Sequence, residues 1–203
     1  GHLTDDHMLE RVTKNAGAHF LQKTALLHGD TRILCCTLWT DFNLSGEPSI
    51  AMRNADLLMA DYDMIGAPPD LHLPADSIPI MRRERRLKPR EILRVHQDHR
   101  AWLADSLVSQ NPIGSHGKTV VVTHHGPHPA VAGKIDTLSA AFHSDMSDLL
   151  IEYRPDAWFF GHSHRRLSAK VHGTDIRNVS IGYAGELIDE SVSYLREACL
   201  WKA

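Results

Sequence analysis

Three cysteines in 203 residues leave no room for a disulfide framework. Cys35 and Cys36 are adjacent within an apolar run, where Cys behaves as a small buried hydrophobe, and a reducing, cytoplasmic setting is expected. No apolar run approaches the ~20 residues of a membrane span, so no membrane partner is expected. The opening residues, Gly1-His2-Leu3-Thr4-Asp5-Asp6, lack the charged-then-apolar layout of a signal peptide. Neither charge is in large excess: 22 Lys and Arg face 25 Asp and Glu, and this balance does not call for a nucleic-acid or anionic-membrane partner. Repeats and low-complexity tracts are missing too. Aromatic residues are few, with 5 Phe and 4 Tyr, against 15 His. Histidine is the commonest metal ligand and a frequent acid–base group, so it is the residue type to follow.

The length suits one domain, residues 1–203, with a sizeable core. Thr4, followed by Asp5 and Asp6, reads as the N-cap of a helix running to about Gly17. Arg32 to Trp39 reads as a buried strand. Glu47 to Ile65 is helical in pattern, with Pro48 in the first turn. Ala67 to Pro79 holds Pro68, Pro69, Pro74 and Pro79 and reads as an irregular loop. A long helix is predicted from Pro89, with Ile92, His96, His99, Leu103 and Leu107 on one face. Lys118 to Thr123 and Ala157 to Phe160 read as short buried strands, with a helix from Ile135 to Tyr153 between them. Ser168 to His172 and Asp175 to Ile181 flank Gly173-Thr174 as a hairpin, and Ser191 to Trp201 reads as a final strand. The sum is an α/β fold, a mixed sheet flanked by helices.

Two strands share one design. Each runs directly into a histidine-bearing loop: VVVT into His124-His125-Gly126-Pro127-His128, and AWFF into Gly161-His162-Ser163-His164. The carboxyl ends of strands in an α/β sheet are where ligands bind, so neighbouring loops of this kind would bring imidazoles together. His162 and His164, two apart, would point the same way on an extended segment. Gly161 permits a sharp turn. Neutral imidazoles suit Mn, Fe, Zn or Ni. Taken singly, each of these histidines is better read as an ordinary core or surface residue. Two clusters at two strand ends favour a metal site at His124, His162 and His164.

VVVTHHGPHP followed by WFFGHSH resembles the C-terminal half of calcineurin-like metallophosphoesterases. TLWTDFNLSG, ADLLMADYDMI and HQDHRAWLADSL resemble a bacterial subgroup of that family, so the likeness covers nearly the whole chain. The resemblance implies a four-layer α/β-β/α sandwich, present here in part, and two divalent metals ~3.5–4 Å apart that activate a hydroxide. It implies that His124 and His162 ligate the second metal and His164 the first. The family's earlier motifs, Asp-x-His, Gly-Asp-x-x-Asp and Gly-Asn-His-Glu, are absent. Near Asn178 the stretch reads NVSIGYAG, where relatives show Asn-Pro-Arg-Gly-Tyr. The chain therefore looks like a truncated or split form lacking the N-terminal portion of the fold. Uncovered sheet edges then predict a homo-oligomer or a partner chain that completes the fold.

Other residues carry weaker signals. His125 would contact substrate or orient the site, with a structural role equally open, and His128 flanks it. Asp41 would replace a missing carboxylate, against its plainer reading as a loop or cap residue. For His96 and His99 packing is the better reading. The basic run Arg82–Arg90 would grip RNA or phosphates, but a solvated face is favoured. The expected function is hydrolysis of a phosphoester small molecule. The alternatives are a non-catalytic or mononuclear metal-binding domain and, more weakly, a nucleic-acid module using Arg82–Arg90.

Overall fold

The computed structural model describes residue 3 and residues 6–67, 85–109, 111–112, 114, 116–186 and 190–198. Its centre is a six-stranded mixed sheet. The strands are β1 (Thr24–His28), β2 (Thr31–Cys36), β5 (Lys118–Thr123), β6 (Ala157–Phe160), β7 (Ser168–Val171) and β8 (Thr174–Asn178), in the order β1-β2-β5-β6-β8-β7. The four inner strands β2, β5, β6 and β8 are parallel, and β1 and β7 pair antiparallel at the two edges. Parallel strands covered on both faces demand near-continuous apolar sequence, which is why all of AWFF is buried. A two-stranded ribbon of β3 (Gly66–Ala67) and β4 (Arg85–Arg86) lies apart from this sheet.

The main core lies between the sheet and helices α4 (Pro89–Val108) and α6 (Ser147–Tyr153). It unites Leu34, Leu38, Leu103, Val121, Trp158, Phe160 and Ile176. Pro89 stands in the first turn of α4, and Glu91 reaches back to accept the Lys88 N–H at 3.0 Å. The five residues predicted to face inward from this helix are all buried. A second cluster, including Phe42, Tyr62, Leu87 and Ile92, gathers under α2 (Pro48–Leu58), α3 (Asp61–Met64) and α5 (Ser139–Phe142). Cys35 and Cys36 are buried, and desolvation raises the Cys36 thiol to about 12, so it is inert.

Several elements differ from expectation. The first helix, α1, spans His7–Asn15 with Asp6 at its N-cap; Thr4 lies outside the described residues. The expected 47–65 helix is two, because Met59 turns extended and buries its side chain. The expected 135–153 helix is also two. Its break is at His143, which bridges Gly126: the Gly126 N–H donates to Phe142 O, and the Ser144 N–H to Gly126 O. Glu190–Ala198 is a helix, α7, not a strand. Its Ser-Val-Ser-Tyr alternation is outweighed by Leu195, Arg196, Glu197 and Ala198, all good helix formers. β1 has no clear sequence pattern and leaves Leu26 and Leu27 exposed. The proline-rich stretch from residue 68 and Arg82 and Arg83 lie outside the described residues. Arg85 is held by both carboxylate oxygens of Glu91, and Arg86 pairs with Asp56 and Asp63. These two cations of the basic run therefore serve the fold. No helix among the described residues is long and apolar enough to cross a membrane.

Candidate active site

The parallel pairing of β2, β5 and β6 brings their carboxyl ends to one side of the sheet. The segment following β2 pins the first histidine loop: Thr37 O accepts the N–H groups of both His124 and His125. His124 O in turn accepts the Gly161 N–H at 3.1 Å, which locks the second loop to the first. Gly126 is required by close approach, since a Cβ there would sit 2.1 Å from Cδ2 of His143.

His124 and His162 meet as the spacing of the two loops suggests. His124 Nε2 and His162 Nδ1 are 3.0 Å apart. With a proton between them this is a hydrogen bond. The same separation fits two ligands of one divalent cation, because metal–nitrogen bonds of about 2.0–2.1 Å at ordinary coordination angles place their nitrogens roughly 3 Å apart. Burial drives the His162 pKa down to about 3, helped by repulsion from the neighbouring imidazoles. Burial also lowers His124, against the opposing pull of Asp61. Both rings are therefore neutral at neutral pH, the form that ligates metals. His162 Nε2 is sealed from solvent with no hydrogen-bond partner.

His164 has a different partner for its Nδ1. His162 and His164 both adopt left-handed backbone, φ 61° and 49°, so the loop is kinked where extended chain was expected. His164 Nδ1 lies 2.8 Å from Glu186 Oε2, and this imidazole still acts electrostatically on both His124 and His162. The turn is thus made at the histidines and not at Gly161. Asn178, fully buried at the end of β8, steadies the kink by donating to Ser163 Oγ at 2.9 Å. His125 is buried behind the pair, its ring 4.4 Å from that of His162 and 5.0 Å from Trp39. His128 caps the turn Pro129–Val131 by accepting the Ala130 N–H. Asp41 closes its own turn by accepting the Asn43 N–H, and its charge acts on buried His96. Among the described residues, no group of three or more His, Cys, Asp or Glu is arranged to hold a metal ion.

Asp61 and Glu186 were not anticipated. Asp61 lines the same cavity as His124, and Glu186 holds His164. Both join the site from helical segments distant in sequence, and neither carries a local signal.

The profile of the calcineurin-like phosphoesterases matches residues 39–166, which include both histidine loops. The chain belongs to that family. No curated protein matches it. Among solved structures, the fold is similar to the phosphopantetheinyl hydrolase of Mycobacterium tuberculosis, with a TM-score of 0.53 at 15% identity. That alignment covers 89% of this chain and 61% of the hydrolase, so the chain spans less than two thirds of its neighbour's length. For a calcineurin-like phosphoesterase, a mixed sheet flanked by helices is the expected architecture.

Proposed function

We propose that the chain serves a metal-dependent phosphoesterase, with His124 and His162 as ligands to one divalent cation. The observation that carries this reading is the pair of neutral imidazole nitrogens 3.0 Å apart where two parallel strands end. His164 is the third ligand of the proposal. Its Nδ1 faces the Glu186 carboxylate, which fixes the ring and leaves Nε2 as the donor atom, a common outer-shell arrangement. A divalent cation there would lower the pKa of bound water and neutralise phosphoryl oxygens. The chain's own residues orient and exclude. His125 and Phe142 pack on the His162 ring and keep its Nδ1 aimed at His124. Thr37 fixes the backbone that carries His124. Asp41 is committed to its turn, and the carboxylate nearer to His124 in effect is Asp61. The substrate class is a small-molecule phosphoester.

A second reading is a metal-binding domain without turnover. It is favoured by the lack of a three-donor metal group among the described residues. Calorimetric titration with Mn or Zn, followed by hydrolysis of bis-p-nitrophenyl phosphate, separates the two. Turnover that needs metal and vanishes in His162→Ala supports the enzyme. Metal binding without turnover supports the second reading, and no metal binding at all removes both.

A further inference from the structure

A cavity of about 590 Å³ opens beside His124, between the sheet end and α1. That volume is within the roughly 300–1,000 Å³ of small-ligand sites. Its walls are mainly Leu3, Met8, Leu9, Phe20, Trp39 and Ile65. Met8 and Leu9 remain exposed on α1, so their apolar surface is not used by the protein core. Two polar wall residues are bonded to each other. Gln22 donates to Thr37 Oγ1 at 2.9 Å and accepts the Thr37 N–H at 2.9 Å. The charged groups on the wall are both carboxylates, Asp6 and Asp61.

From this we infer that the cavity receives the organic group of the substrate, and that this group is apolar and carries no negative charge of its own. The inference rests on the phosphoesterase reading, because it places the phosphoryl group at His124. Apolar walls favour an aryl or branched alkyl alcohol through burial of apolar surface. A polyhydroxyl alcohol such as a sugar would press most of its hydroxyls against apolar wall, and only those reaching Asp6, Asp61, Gln22 or Thr37 would regain partners. A second anionic group would enter a space whose fixed charges are negative.

The test is equilibrium binding of phosphonates to the full chain with Mn present. 1-Naphthylphosphonate is expected to bind at least tenfold more tightly than methylphosphonate. A naphthylphosphonate bearing a ring carboxylate is expected to lose most of that gain. Leu9→Asp, at an exposed position that tolerates change, is expected to cut the naphthyl-to-methyl ratio at least fivefold, and Phe20→Ala gives an independent check. If methylphosphonate and Mn bind but the naphthyl group adds nothing, the inference falls and the phosphoesterase reading stands. If neither Mn nor either phosphonate binds, both fall. Loss of naphthylphosphonate binding as the chain self-associates would place protein in the cavity and overturn the inference as well.

Discussion

Two histidine pairs in this chain look alike by several measures and differ in the one that matters. His96 and His99 sit three apart on α4, a spacing that could present two ligands on one face. His124 and His162 come from loops 38 residues apart. In both pairs burial is the main cause of a lowered pKa, to about 4 for His99 and about 3 for His162. Depressed basicity therefore does not separate core from site. The direction of the ring nitrogens does. His96 Nδ1 is 3.2 Å from Leu38 O, and His99 Nδ1 is buried without a partner. His124 and His162 instead aim nitrogens at each other at the edge of a cavity. What marks the proposed ligands is convergent ring nitrogens beside accessible space, not neutrality.

The sharpest way to break this comparison is metal affinity. His124→Ala is expected to weaken Mn or Zn binding at least about 100-fold, close to 2.7 kcal/mol. His99→Leu is expected to leave it unchanged. Equal losses in a calorimetric titration would place the metal elsewhere.

The next effect is on stability against pH. His99 has a folded pKa of about 4 against an ordinary value of 6.5. As pH falls below about 6.5 the unfolded chain takes up a proton that the folded chain refuses. Stability is therefore lost through the window down to about 4, after which this loss stops, by roughly 2–3 kcal/mol in total. His99→Leu removes that slope and satisfies the buried Nδ1 by deleting it. Urea midpoints measured at about pH 7 and pH 4.5 check this. An unchanged slope in His99→Leu would mean that His99 gains a proton freely in the fold.

A third test compares the loops within the site. The first loop depends on close packing at Gly126, whose added Cβ would overlap the His143 ring. Gly126→Ala is expected to cost about 2 kcal/mol through overpacking. The double variant with His143→Ala should recover much of it, because the clash is with that ring. Additive losses in the double-mutant cycle would show that Gly126 acts through its backbone alone.

Much of this molecule was legible in local pattern. The three-and-four spacing of Ile92, His96, His99, Leu103 and Leu107 specifies a helix face whatever packs on it. The runs KTVVVT and AWFF specify buried strands, and their direct passage into histidines places those histidines at strand ends. What escaped depends on contacts across the fold. The break at His143 is set by Gly126, which completes a bridge from another loop. The kink at His162 and His164 comes from left-handed backbone at two non-glycine residues, which no pattern of residue types announces. Asp61 and Glu186 enter the site through tertiary proximity alone.

That left-handed backbone supplies the smallest and most discriminating effect. An L-residue in this region costs roughly 1 kcal/mol that glycine does not pay. His162 stands at φ 61°, whereas His124 is not among the positive-φ residues. Both glycine variants lose the imidazole, so both are expected to lose metal. Their stabilities should move in opposite directions relative to alanine. His162→Gly is expected to be about 1 kcal/mol more stable than His162→Ala, because strain is relieved. His124→Gly is expected to be several tenths to 1 kcal/mol less stable than His124→Ala, because flexibility is added to an unstrained site. Denaturation midpoints of the four variants measure this directly. If His162→Gly gains nothing over His162→Ala, the second loop is not held against its backbone preference. The Asn178–Ser163 and Gly161–His124 hydrogen bonds would then be a consequence of the kink and not its cause.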